Sequence, residues 1–306
     1  MNSSTSSSEP RLGRHFALWA GLALLLALGF ALASEALVRL AVVPHDLLAR
    51  HRVFMAGAQS ADAIFGDSHA SLGFTGADGF VNLAFPGENL ATVAGKARAY
   101  YRQRQPGRVI VQADPSMLSP ARDREPPVSY DDLGGERRWL RIAEERHRTR
   151  LLAYWRVWRK GEGFASTRRF EADGAQTRTD RLADTAPAAR EALALEEALK
   201  QRPPDALNDS PGLRELQALV GWLRGKGARV CLVGFPMAPD YRRHADARPA
   251  FAAARAAFAA LAARHSVPYR DFSAAVDDLS LFVNADHLNR DGARQLAPRI
   301  VRACFE

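Results

Sequence analysis

Ser68 is the residue whose type and surroundings most directly suggest covalent chemistry. It stands in Ile64-Phe65-Gly66-Asp67-Ser68-His69, after a buried-strand pattern and in the turn that opens the next helix. A hydroxyl there can face a crevice while backbone N–H groups at the helix start stabilise an oxyanion. Gly66 permits a tight turn, and Asp67 can brace the loop by hydrogen bonding. The same Gly-Asp-Ser is also ordinary turn and helix-cap chemistry. A second cluster, Asn284-Ala285-Asp286-His287-Leu288-Asn289-Arg290-Asp291-Gly292, gathers an imidazole, carboxylates and amides near the other end of the chain.

Elements that could carry these residues follow from short apolar runs alternating with helix-like stretches, the signature of a layered α/β fold with a parallel sheet. Strand-like runs are Ala61 to Phe65, Val81 to Phe85, Arg108 to Ala113, Ala228 to Phe235 and Val267 to Phe272. Helix-like stretches are Leu90 to Arg104, Leu213 to Lys226, Pro249 to His265 and Asp291 to Cys304. Right-handed crossovers between such strands give a three-layer α/β/α, flavodoxin-like doubly wound sheet, with sites at the carboxyl ends of strands. Residues 119–210 break the rhythm and read as an insertion. Within it 136–158 and 186–201 are helix-like, and Gly161 to Thr185 reads as loop. A solvated helical flap and a substrate-binding subdomain both fit it.

Phe16 to Ala33 is an uncharged apolar run of about 18 residues, roughly 27 Å as helix and close to the thickness of a bilayer core. Arg11 and Arg14 precede it, which predicts a cytoplasmic N-terminus and an exported remainder. The expected order is a tail at 1–15, a transmembrane signal-anchor at 16–43, a juxtamembrane stem at 44–60 and the α/β domain at 61–306. Ala31-Leu32-Ala33 also fits a signal-peptidase site, so a cleaved leader is the competing reading.

The net charge of +8 comes from arginines scattered among Ala and Gly without interleaved aromatics, which argues against nucleic acid. An anionic glycan or lipid surface uses the same charge equally well. The two cysteines, Cys231 and Cys304, show no Cys-x-x-Cys spacing, and neither a disulfide framework nor a cysteine zinc site is expected. His45, His51, His147, His244 and His265 lack metal-ligand spacing and read as solvated. His69 reads as a loop residue beside the site, with a catalytic role as the competing reading. Asp114 fits equally a cap for a helix beginning near Pro115 and a site role.

Together these segments resemble the SGNH (GDSL-like) hydrolase superfamily. Gly66-Asp67-Ser68 matches its first block, Asn82-Leu83-Ala84-Phe85-Pro86-Gly87 its second, and Asp286-His287-Leu288-Asn289 with Gly292 its last. The resemblance spans roughly residues 60–115 and 228–302. It implies Ser68 as nucleophile, His287 as general base, and the N–H groups of Ser68 and Gly87 as oxyanion hole. No cofactor or metal is implied.

Two departures stand out. The family's acid lies three residues before the histidine, where this chain has Asn284; either Asp286 substitutes or the pair is a Ser-His dyad. In an extended segment Asp286 would point away from His287, leaving Asn284 better placed. The third block, Gly-x-Asn-Asp, is replaced by Gln112-Ala113-Asp114-Pro115, so the side-chain oxyanion donor is open between Asn89 and Gln112.

With its N-terminal membrane segment the chain is similar to the alginate O-acetyltransferase and DltD-like envelope proteins. That likeness implies a single-pass protein of the bacterial inner membrane with its domain in the periplasm. It would carry acyl groups to or from a polysaccharide or other envelope glycan, supplied by a membrane-bound acyl donor protein. A catalytically silent scaffold in a polysaccharide export complex is the alternative.

Overall fold

The computed structural model describes residues 9–42, 46–77, 79–124, 126–130, 140–143, 147–149, 151, 169–207 and 209–306. Strands β1 (Asp62–Phe65), β2 (Phe80–Asn82), β3 (Arg108–Gln112), β4 (Arg229–Gly234) and β5 (Tyr269–Asp271) form one parallel sheet in the order β2-β1-β3-β4-β5. Helices are α1 (Glu9–Leu37), α2 (Leu47–Gly57), α3 (Ser68–Gly73), α4 (Leu90–Tyr100), α5 (Pro187–Lys200), α6 (Pro211–Gly225), α7 (Pro239–Asp246), α8 (Pro249–Arg264) and α9 (Arg290–Phe305).

The central strands β1, β3 and β4 carry buried apolar residues on both faces because both faces are covered. Ile64, Ile110, Cys231 and Val233 pack with Ala70 of α3 and Leu296, Ala297 and Ile300 of α9. On the opposite face Phe65 meets the rings of Tyr100 and Tyr101 at 6.3 and 5.9 Å. This is the expected three-layer α/β/α arrangement, with the order of a flavodoxin-like sheet. Its strand order reverses between β1 and β3, so the loops after those two strands flank the crevice where such sheets place their sites.

The chain divides into two compact units, 1–50 with 137–165, and 51–136 with 166–306. In the first, the stretch His15–Leu40 has mean hydropathy 2.3, is exposed over most of its length, and is long and apolar enough to cross a membrane; a signal sequence has the same character. Arg39 pairs with Glu35 at 2.6 Å, and Glu35 accepts the Arg141 and Ile142 N–H groups at 2.8 and 2.9 Å. His147 is buried against Asp46, not solvated as expected.

Several local expectations are corrected. The run at 81–85 is strand only to Asn82, whose buried amide donates to Ala70 O and Phe74 O and accepts the Ala84 N–H. That side chain ties the chain leaving β2 to the end of α3. Helix α7 was hidden by its polar face, and Pro239 starts it. The segment expected as loop at 161–185 contains a hairpin, Arg169–Phe170 with Gln176–Thr177. Its Gly174 has φ +90°, and a Cβ there would stand 2.2 Å from the Phe54 ring. Most of the expected 136–158 helix lies outside the described residues.

The two cysteines are joined. Cys231 on β4 and Cys304 on α9 are 73 residues apart in sequence, yet their Cα atoms lie 5.7 Å apart, and they form a disulfide. A lone pair of distant cysteines carries no spacing signal, because it is the packing of α9 on the sheet that brings them together.

Candidate active site

Ser68 is the first residue of α3. Asp67 caps that helix, accepting the His69 N–H at 2.9 Å. Asp67 is fully buried and is held by two further groups, Gln112 Nε2 at 2.7 Å and Arg122 at 2.6 Å. Burial alone would push its carboxyl up, but Arg122, His69 and Gln112 outweigh burial and hold it below the ordinary value. Gln112 completes the clasp by accepting the N–H groups of Asp67 and Ala70 on Oε1 at 2.8 and 3.2 Å. Gly66 is required for space: a Cβ there would lie 2.4 Å from Gln112 Oε1.

These bonds draw on both side-chain oxyanion candidates. Gln112 is spent on the turn that presents Ser68. Asn89 caps α4 by accepting the Thr92 N–H at 2.8 Å, and its Nδ2 reaches Arg122 O at 3.4 Å. The backbone donors are free. Among the described residues neither the Ser68 nor the Gly87 N–H has an acceptor, and Gly87 adopts φ +86° in the loop after β2.

Under that loop lies a buried charge cluster. Lys96 of α4 donates to Glu88 at 2.5 Å and to Leu83 O at 2.8 Å, and stands 3.2 Å from His51 Nε2. Tyr130 adds a hydrogen bond to Glu88. Burial lowers the Lys96 amine to about 8 despite Glu88, and burial with the Lys96 charge pushes the His51 ring well below the usual histidine value. His51, expected to be solvated, is therefore an interior residue.

His287 sits on a hairpin, Phe282–Asn284 with His287–Leu288, that packs on α3 just before α9. The hairpin turns at Ala285 and Asp286, so the segment is not extended and the expected divergence of Asp286 from His287 does not occur. His287 Nδ1 lies 3.0 Å from Asn284 Oδ1, which fixes the proton on Nδ1 and leaves Nε2 as an acceptor. Asp286 Oδ1 lies 2.7 Å from the same nitrogen but makes no hydrogen bond, so its influence there is electrostatic. His287 Nε2 is buried and unpartnered, and Ser68 Oγ has no hydrogen bond among the described residues. The His287 ring lies edge-on to the ring of His69, the residue after Ser68, at 5.0 Å.

His69 is a buried residue of α3, contrary to its reading as loop. Its Nδ1 faces Asp114 Oδ2 at 3.0 Å and its Nε2 faces Asp286 Oδ2 at 3.3 Å. Asp114 occupies a helix N-cap position but makes no side-chain cap; its other oxygen accepts the Phe235 N–H at 2.6 Å. Asp286 Oδ2 also accepts from Gln201 at 2.6 Å, and Gln201 in turn accepts from Tyr241. Burial alone would lower the His69 pKa, but Asp67, Asp114 and Asp286 raise it well above 6.5. Burial alone would raise Asp286, but His287 and His69 hold it well below the carboxylate range, whereas burial keeps Asp114 raised.

Ligand atoms of His69, Asp286 and His287 fall within 4.8 Å of one another, close enough for a metal ion. Both His69 nitrogens already face carboxylates, so His69 has no free nitrogen to offer an ion. The structure thus gathers Ser68, His287, Asn284, Asp286 and Asp114 around α3, brings in His69, which was expected beside the site as a loop residue, and adds Arg122, which sequence reasoning missed. Nothing in the sequence pointed to Arg122. For His69 a signal existed, a buried-turn histidine accompanied by aspartates in two other blocks.

No protein-family model matches the chain, and no curated protein matches it. Solved structures similar to this chain include these two. The crystal structure of TesA is 14% identical with TM-score 0.39, covering 80% of this chain and 97% of that one. The lipase/acylhydrolase from Enterococcus faecalis is 12% identical with TM-score 0.38, covering 79% of this chain and 94% of that one.

Proposed function

We propose that this chain is an SGNH-type serine esterase or acyltransferase in which Ser68 is the nucleophile and His287 its base. The observation that carries the reading is the buried, unpartnered Nε2 of His287, in the tautomer of a base, beside the helix that opens with Ser68. His287 takes the Ser68 proton as Oγ attacks an ester carbonyl, and the oxyanion is received by the free N–H groups of Ser68 and Gly87. Asn284 orients the imidazole, and Asp286 supplies the charge that stabilises imidazolium. The proton then passes to the departing alkoxide, and water or a sugar hydroxyl releases the acyl group from Ser68.

The finer reading is an O-acyl group on an exported polysaccharide, handled from the inner membrane with α1 as anchor and the α/β domain in the periplasm. The disulfide and the apolar α1 support export, since disulfides persist in oxidising compartments. A membrane-bound acyl donor protein would fit a transferase. The alternative is a silent scaffold, favoured by the commitment of Gln112 and Asn89 elsewhere, which leaves the oxyanion with backbone donors alone.

Fluorophosphonate labelling of the full-length chain separates the two. Modification is expected on Ser68, absent in Ser68→Ala and strongly slowed in His287→Ala. A wild-type Ser68 that stays unlabelled removes the enzymatic reading.

A further inference from the structure

We propose that His69 is a positioning residue of this site, donating from Nε2 to Asp286 and thereby holding that carboxylate ionised and aimed at His287. The inference rests on the proposed role of the Ser68–His287 pair and explains how the site works without a carboxylate three residues before the histidine.

The geometry carries it. A neutral imidazole donates from one nitrogen only, yet both His69 nitrogens face carboxylate oxygens, at 3.0 and 3.3 Å, in a fully buried setting. Either the ring is an imidazolium or one carboxyl is protonated. Asp114 is the carboxyl that burial pushes towards the neutral acid, whereas Asp286 is held charged. In both cases the shared proton lies between His69 and Asp114, and Nε2–H points at Asp286. The titratable groups facing His69 are Asp67, Asp114, Asp286 and His287.

Charge balance gives the arrangement its use. With one proton between His69 and Asp114, the buried Asp114–His69–Asp286 row carries a net charge of minus one beside His287. When His287 accepts the Ser68 proton, that charge is matched. Removal of His69 would take from Asp286 one of its two Oδ2 donors among the described residues and leave Gln201, in a site where burial favours the neutral acid. A neutral Asp286 no longer stabilises imidazolium.

Two measurements test this on the full-length protein. Nitrogen-15 imidazole NMR of the wild type is expected to show a proton on His69 Nε2 throughout pH 6–8; an unprotonated Nε2 there overturns the proposal whether or not Ser68 reacts. Fluorophosphonate labelling is then followed against pH for His69→Gln, Asp286→Asn and the double variant. Each single change is expected to slow labelling about 10²–10⁴-fold, the range spanned by a lost orienting carboxylate, with the double variant no slower than the worse single one. His69→Gln should also move the acid limb upward, a change that a loss of packing alone would not give. Multiplying losses, or an unmoved limb in a folded His69→Gln protein, overturn the proposal. If wild-type Ser68 fails to label, the serine mechanism fails while the NMR result still decides the state of His69.

Discussion

Gln112, the last residue of β3, and Asp67, in the turn after β1, form a two-way clasp: Nε2 donates to the carboxylate at 2.7 Å and Oε1 accepts the Asp67 N–H at 2.8 Å. The bond spans two neighbouring strands and sets the pitch of the turn that presents Ser68. Gln112→Leu would leave the Asp67 and Ala70 N–H groups buried without acceptors. We expect a loss of about 2–4 kcal/mol in urea unfolding and slower labelling of Ser68. An unchanged midpoint would show that the clasp adds nothing.

Stability should depend on pH on both flanks. Asp67 and Asp286 have folded pKa values below their unfolded value of 3.8, so their contribution is whole above about pH 4 and is lost as pH falls through the folded values. His69 has a folded pKa above its unfolded 6.5; its contribution is whole below 6.5 and is lost as pH rises through the folded value. Lys96 runs the other way, because its folded value of about 8 lies below 10.5 and the unfolded chain binds more protons between the two. The wild type minus His69→Gln difference in unfolding free energy isolates the histidine. It should shrink on the alkaline side, and a difference that grows with pH contradicts the assignment.

Breaking the pair beneath the Gly87 loop should be costly and removing it whole should not. Lys96→Met leaves Glu88 buried with only Tyr130, and we expect about 3–5 kcal/mol of destabilisation. Lys96→Met with Glu88→Leu should recover most of it. A double variant as unstable as the single one would mean that the pair does more than balance its own charges.

The disulfide closes a loop of sequence separation 73, for which chain entropy gives about 4 kcal/mol at most. Cys231→Ala with Cys304→Ala should therefore lower the unfolding free energy by about 2–4 kcal/mol. Intact protein treated with reductant should match that variant. A mass spectrum showing two free thiols in material from an oxidising compartment would contradict the bond.

Legibility in the sequence varied with the range of the interaction responsible. The core strands and the helices on Leu90, Leu213, Pro249 and Asp291 were readable because buried parallel strands are short apolar runs with turn residues at their ends. Ser68 and His287 were offered from their local blocks, and the structure sets the His287 hairpin against the helix that Ser68 opens. The surroundings of His69 were not, since its partners come from positions 45 and 217 residues away. Asp286 was misjudged because an extended segment was assumed where a hairpin turns. Gln112 was offered as a donor on position alone, and only the structure shows its amide already used. The disulfide escaped for the same reason as His69: two residues remote in sequence met through the docking of α9.

The hairpin that bears His287 follows every strand of the parallel sheet and comes just before α9, whose own seat on the sheet is tied by Cys304. On the proposed roles, a chain clipped after Phe272 would hold the serine and its turn without a base to activate it. Competence would then wait for a hairpin and a helix that dock after the sheet is complete.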